Sequence, residues 1–370
     1  SAYDAADLAP LVERLGGARI IGIGEATHGG HQDQAFKAEL IKALVRAGKV
    51  DVLMLEANRE AAAGFDHYIR QGQGDPAALV RSRSFFATWK DDEFAGLVLW
   101  LRAWNLQAAH PVRVVGVDCQ DSGRDAAFAL DFIAQHDAKS AEALRPPLAS
   151  LIAGGQGNGR FIDWFKVREL AELDSATSGV RALDRWFAAA SASIMATPGF
   201  TQARIAARAA VQGFEINKVF RKDFDESKAT EADYSLRDVL MAENATTMLG
   251  KDERAVLWAH DLHVLADVSP LWREGGYVSI GMLLRKQLAD AYRTVGFTWS
   301  EGGFWASRIA DTSSATMTGQ QKPEVLVLAN NRPGELGSLF DQTGARAMWA
   351  DFAARPSTPQ LDSWAKRPYW

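Results

Sequence analysis

Residues 18–31 read ARIIGIGEATHGGH: a short isoleucine-rich run, then a glycine-bounded polar cluster with two histidines. A short run that is apolar on both faces is what a buried parallel strand looks like, and Gly24 punctuates its end. A helix pattern follows at once. Between Gln34 and Arg46, Phe36, Leu40, Ile41, Leu44 and Val45 recur at the helical period. Five further runs resemble the first: Val50–Leu55, Val112–Val117, Ala255–Trp258, Tyr292–Trp299 and Glu324–Ala329. A second helical stripe, carried by Phe94, Leu97, Val98, Leu101 and Trp104, fills the interval before Val112. This alternation predicts an α/β fold with a parallel or mixed central sheet flanked by helices.

From about Ser122 to Lys251 the strand signals stop and helical patterns take over, Thr201–Arg221 being the strongest. The expected organisation is an α/β catalytic core made of residues 1–121 and 252–370. A helical subdomain is inserted at 122–251. Pro146-Pro147 and the glycine-rich stretch Gly154–Gly159 predict a break and a loop within that insert.

Composition excludes several function classes. The 41 basic and 46 acidic residues leave a net charge of −5, and no dense basic run occurs. Nucleic acid is not an expected partner, since phosphate binding needs a basic face. No apolar stretch is long enough to span a membrane. The single cysteine, Cys119, excludes an intramolecular disulfide and a thiolate-rich metal site. The chain begins on Ser1 rather than Met, so a trimmed N-terminus is expected; cytoplasmic, periplasmic and secreted locations stay open. The sequence sets no oligomeric state.

The informative residues stand at the strand ends. Glu25, His28 and His31 follow the first run, Glu56 the second, Asp118 the third, and His260 and His263 the fourth. In open α/β sheets ligands bind beyond the carboxyl ends of the strands. Any one of these groups has an ordinary structural reading, and for Asp118 a cap or packing hydrogen bond is the better one. Two His-x-x-His pairs at two strand ends, each with an acid nearby, favour a site.

The usual nucleophile and cofactor motifs are missing. Gly22-x-Gly24 lacks the third glycine of a dinucleotide fingerprint, and there is no P-loop, no Gly-x-Ser-x-Gly elbow and no His-Glu-x-x-His. Cys119 reads as a buried thiol rather than a nucleophile. Water activated by an imidazole is the chemistry left, with Glu25 or Glu56 fixing the tautomer. His260 and His263 would donate to an oxyanion, and Lys37 and Arg237 are the available cations. The same side chains would also suit Zn²⁺ or Mn²⁺, and spacing does not separate the two. No obligatory metal or other cofactor is expected, because Glu25 and Glu56 offer the partner a metal-free imidazole needs. Phe85, Phe86 and Trp89, in a looser segment before a helix, are expected to wall a substrate pocket, with His31 beside them. Trp100 and Trp104 sit on an apolar stripe and are expected in the core.

These residues resemble a known family. Gly24-Glu-Ala-Thr-His-Gly29 before a lysine-bearing helix, Leu55-Glu-Ala-Asn58, Trp89 with Glu93, and Trp100-Leu-Arg-Ala-Trp-Asn105 are similar to motifs of the erythromycin esterase family, which also includes succinoglycan-biosynthesis-like proteins. So are Val115-Gly-Val-Asp-Cys-Gln120, Arg237-Asp238 with Met241-Ala-Glu-Asn244, Trp258-Ala-His-Asp-Leu-His263 and Gly337-Ser-Leu-Phe340. The resemblance runs in order from Ala18 to Phe340. It implies hydrolysis of an ester or macrocyclic lactone by histidine-activated water, with a small-molecule substrate. His28 takes the general-base slot, Glu25 a supporting acid, and Glu56, Lys37, Arg237, His260 and His263 the remaining active-site slots. Gln32 stands where the family often has Glu, and Asp261 where it usually has Asn. The lost carboxylate at Gln32 motivates a rival reading, a binding protein without turnover. Macrolides are one substrate the family name suggests; the altered neighbours leave the substrate open.

Overall fold

Five of the six strand-like runs pair into one sheet. In the computed structural model, which describes residues 5–82, 89–156, 161–268, 273–298, 302–306, 324–328, 342–343 and 349–351, they are β1 (Ile20–Ile23), β2 (Val52–Asn58), β3 (Arg113–Asp118), β4 (Ala255–Trp258) and β5 (Tyr292–Val295). Their order is β3-β2-β4-β1-β5, and every pairing is parallel. The sixth run appears as β7 (Glu324–Leu328). It pairs antiparallel with β6 (Gly302–Ala306), apart from the main sheet.

Side chains alternate across the sheet, and each face has its own cover. Ile21, Ile23, Leu53, Leu55, Val256 and Trp258 point to one side. There they pack against α2 (His31–Arg46), α3 (Arg59–Gln71) and α5 (Asp92–Asn105), whose Leu40, Leu44, Phe65, Phe94 and Leu97 are buried. Ile20, Val52, Met54, Ala255 and Leu257 point to the other side, against Met241, Ala242 and Ala245 of α12 (Glu231–Thr247) and Ile280 and Leu284 of α14 (Ile280–Leu288). This double cover explains why the strands read as continuous apolar runs.

Between β3 and α12 the chain is helical: α6 (Ser122–His136), α7 (Ala138–Gln156), α8 (Phe161–Lys166), α9 (Leu170–Ala188), α10 (Ala192–Met195) and α11 (Phe200–Asn217). These helices enclose a second core containing Phe132, Leu148, Phe165, Leu183 and Phe214. The fold is therefore α/β, a parallel five-stranded sheet flanked by helices with a helical subdomain. Two local expectations are corrected. Pro146 and Pro147 lie inside α7, and Gly154, Gly155 and Gln156 form its last turn rather than a loop. Packing explains the helix. Leu148 and Leu151 are buried, and Gly155 meets Gly123 of α6 so closely that a Cβ on Gly155 would fall 2.8 Å from Gly123. These glycines serve a helix crossing. Gly157–Gly159 lie outside the described residues.

The second correction concerns Glu56. It does not follow β2 but lies within it, because the strand continues to Asn58 through an irregularity in register with β3 between Leu55 and Asn58. Such an irregularity re-aims a side chain. Gly116 on β3 makes room for it: a Cβ there would stand 2.4 Å from the Ala57 carbonyl oxygen and 2.6 Å from that of Asn58. Backbone cannot retreat as a flexible side chain can. Gly116→Ala should therefore destabilise the protein by about 1–3 kcal/mol, measured by denaturant unfolding, and lower turnover by moving Glu56.

Candidate active site

The site is assembled at the carboxyl ends of β1, β2, β3 and β4. After β1 the chain turns through Gly29, whose φ is 75°, and enters α2. That turn folds His28 back over Glu25. His28 Nδ1 and Glu25 Oε1 are 2.7 Å apart, while the His28 side chain is 55% exposed and Glu25 fully buried. The other Glu25 oxygen accepts from Gln34 Nε2 and Lys37 Nζ, each at 2.8 Å. Burial alone would raise the Glu25 carboxyl, but Lys37 and His28 outweigh it and bring its pKa down to about 2. Glu25 is thus a carboxylate at neutral pH. It holds the Nδ1 proton of His28 and leaves Nε2 as a free acceptor on the exposed side.

Lys37 is not the solvated surface cation that a helix position suggests. Its side chain is fully buried, paired with Glu25 and placed 4.4 Å over the Trp258 ring. Burial pulls its pKa down, and Glu25 opposes that.

His260 stands across from His28, with ring centroids 5.0 Å apart and planes inclined at 64°. The Leu262 N–H donates to His260 Nδ1 at 3.2 Å, so the ring proton of the neutral tautomer sits on Nε2. Burial and then His28 lower the His260 pKa to about 4. It is a neutral donor at neutral pH. His263, one turn on, is the opposite. Its Nδ1 lies 2.5 Å from Asp238 Oδ1 and its Nε2 3.3 Å from Glu56 Oε1. Burial disfavours its charge, yet Glu56 and Asp238 prevail and raise the pKa to about 10. His263 is an imidazolium. Tyr277 donates its hydroxyl to the second Asp238 oxygen.

Arg237 reaches in from α12. Its Nη2 donates to Glu56 Oε1 and to Asp118 Oδ2 at 2.8 Å each, and its Nε donates to Asp118 Oδ1 at 3.2 Å. The structural reading of Asp118 fits this geometry: it clamps the guanidinium and caps Cys119 N at 2.8 Å. Glu56 is held well below the usual carboxylate range, despite burial, by His263 and Arg237, and its Oε2 accepts from His260 N at 3.0 Å. Burial pushes the Cys119 thiol well up.

All seven side chains expected to share a site are joined by contacts into two adjoining networks, one around Glu25 and one around Glu56. His31 is 69% exposed and paired with Glu93 at 2.8 Å, on the rim. Trp89 is a correction: it is 1% exposed and packs edge-on to Trp258 at 6.4 Å, so it is core, not pocket wall. Asp91 caps the helix that follows, its carboxylate accepting from Phe94 N at 2.7 Å. Phe85 and Phe86 lie outside the described residues. Trp100 and Trp104 stack at 5.5 Å and pack partly buried on the core. Three members were missed by sequence reasoning, Gln34, Asp238 and Tyr277. Asp238 was visible only as the neighbour of Arg237, and Tyr277 carried no signal. Among the described residues no group of three or more His, Cys, Asp or Glu is arranged to hold a metal ion.

Known proteins are similar to this chain in sequence and in fold. The family model described as erythromycin esterase matches residues 45–369. An erythromycin esterase type I from Escherichia coli is 24% identical over 297 residues, 78% of this chain and 71% of that protein. A solved protein from Bacillus cereus superposes with a TM-score of 0.79 at 20% identity, over 98% of this chain and 83% of its own. A succinoglycan biosynthesis protein gives 0.70 at 17% identity, over 89% and 76%. A mutant of the erythromycin esterase EreC, in its open conformation, gives 0.70 at 20% identity, over 92% and 83%. With the family model covering most of its length, the chain belongs to the erythromycin esterase family of hydrolases.

Proposed function

We propose that this protein hydrolyses an ester or lactone with water activated by His28. The observation that carries the reading is the 2.7 Å contact between His28 Nδ1 and the buried Glu25 carboxylate. A carboxylate on Nδ1 fixes the tautomer and stabilises the imidazolium that forms when Nε2 takes a proton from water. The hydroxide so formed attacks the carbonyl carbon. His260, neutral and carrying its proton on Nε2, donates to the oxyanion; such donors are worth about 3 kcal/mol in a dry site. His28 then returns its proton to the leaving oxygen. Arg237 and the His263 imidazolium supply fixed positive charge behind Glu56.

The mechanism has no metal in it, and the donor set supports that. The His263 imidazolium has no lone pair for a cation and His260 keeps its proton on Nε2, so of the three rings His28 Nε2 is the one imidazole lone pair left, where a catalytic zinc usually takes three protein ligands. The exposure of Gln32 in the first turn of α2, with His28 taking its carboxylate partner from Glu25, supports turnover over the rival reading. A panel of aryl esters, lactones and macrolides, assayed with and without a chelator, tests the proposal. Turnover of at least one, undiminished by chelation, is expected. Tight binding with no turnover on any would favour the rival, and loss on chelation restored by Zn²⁺ or Mn²⁺ would move the histidines to ligand roles.

A further inference from the structure

Asp261 is the one ionisable member of the β4 motif that the mechanism leaves unused, and its surroundings are unusual. It is 4% exposed. Its backbone N–H donates to the Glu25 carbonyl at 3.1 Å, and its Oδ2 accepts from Phe297 N, just past β5, at 3.0 Å. One residue of the β4 end therefore fastens the ends of β1 and β5, directly behind the loop that holds Glu25 and His28. Its other oxygen, Oδ1, is buried with no hydrogen-bond partner among the described residues. It lies against Gly24, where a Cβ would fall only 1.7 Å from it, and against Gly296, where a Cβ would stand 3.7 Å away. Glycine on both sides leaves space for the carboxyl and offers it no side-chain donor.

The charge count around it is lopsided. Three carboxyl groups, Glu25, Asp33 and Asp261, are buried at 0%, 4% and 4% exposure, and all act on the single buried ammonium of Lys37. Lys37 spends its direct contact on Glu25. Asp33 accepts from Ala26 N through Oδ2. Asp261 is left with one backbone donor, two like charges nearby on α2 and the β1 loop, and a bare oxygen. A buried anionic oxygen without a donor is costly, and the group neutralises instead.

We propose that Asp261 is a positioning residue kept as the neutral acid, so that Lys37 serves Glu25 alone, and that its ionisation disarms the His28–Glu25 pair. This rests on the reading of His28 as the base. When Asp261 loses its proton, Lys37 is divided between two carboxylates, the Glu25 anchor is shared, and the β1–β4–β5 fastening carries a second buried charge. Burial raises the Asp261 pKa to about 7, with Phe297 N and Lys37 opposing and Asp33 and Glu25 assisting. The switch then falls within the physiological range.

The sign follows from linkage. A carboxyl whose folded pKa is raised gives stability that is present in acid and lost as pH climbs through the folded value. Asp261→Asn keeps the shape and the neutral charge and cannot ionise. Its melting temperature should match wild type in acid, exceed it by a growing margin as pH rises from the ordinary aspartate range to about 7, and hold that margin above. In carbon-detected NMR of protein with labelled aspartate, one carboxyl should titrate near 7 in wild type and vanish in the variant. In the rate profile, wild-type kcat should fall on the alkaline side, and Asp261→Asn should remove that limb while Asp261→Ala lowers kcat at every pH with little change in KM. The NMR and melting experiments need no substrate, so they separate this proposal from the assignment of His28. Every aspartate titrating below 5, or an asparagine variant with the wild-type alkaline limb and the wild-type dependence of melting on pH, would overturn it.

Discussion

Replacing His28 by Asn should lower turnover by about 10²–10⁴ while leaving the fold intact. The side chain is 55% exposed, so its loss opens no core cavity. Glu25 keeps Lys37 and Gln34 as partners and stays satisfied. Asparagine can still reach toward Glu25, yet it cannot accept a proton from water. KM should change little, because the lost interaction belongs to the transition state. Matched melting curves beside a wild-type rate constant would sink the general-base assignment.

Lys37→Met should be the most damaging single substitution for stability. It deletes one partner of a fully buried ion pair and leaves the Glu25 carboxylate beside an apolar side chain. Breaking a buried pair this way typically costs about 3–5 kcal/mol. The cost should depend on pH in a defined direction. In wild type the Glu25 pKa lies at about 2, so its ion pair stabilises the fold above the ordinary carboxylate range and is lost as pH falls through about 2. The gap between variant and wild type in urea unfolding should therefore widen from acid to neutral pH. Turnover should fall as well, since a protonated Glu25 no longer stabilises the His28 imidazolium. A variant that unfolds like wild type at neutral pH would contradict the assignment of Lys37 as a buried partner.

The sequence carried the sheet and much of the site for one physical reason: strands buried on both faces must be apolar almost throughout, so the first charged residue after a run falls at or within a few residues of the strand end. Glu25, His28, His260 and His263 were legible in this way. What could not be read depends on packing between distant segments. Lys37 was read as a site cation, but its full burial follows only from Trp258 and Glu25 enclosing it. Trp89 lies close to the helix start in sequence but sinks into the core against Trp258. Asp238 becomes a partner only because α12 presents two successive residues to the site, Arg237 to Glu56 and Asp238 to His263. The Pro146-Pro147 pair was a sound breaker signal overridden by the helices packed around it. The strand signal at Glu324–Leu328 was correct, but periodicity cannot choose between joining the main sheet and pairing with β6.

The strand order has a consequence for how the molecule is made. β2 finds its neighbour β3 about sixty residues on, but β1 borders only β4 and β5. Both edges of β1 stay unpaired until a segment more than two hundred residues downstream has been synthesised. At a ribosomal rate of about 5–20 residues per second, that is roughly ten to fifty seconds with an open apolar strand. The insert has its own core and can collapse during that wait. The strand that carries Glu25 and His28 cannot, because β4 must slide in between it and β2. Such late, long-range closure is slow and leaves the edges of β1 open to mispairing until residue 258 has left the ribosome.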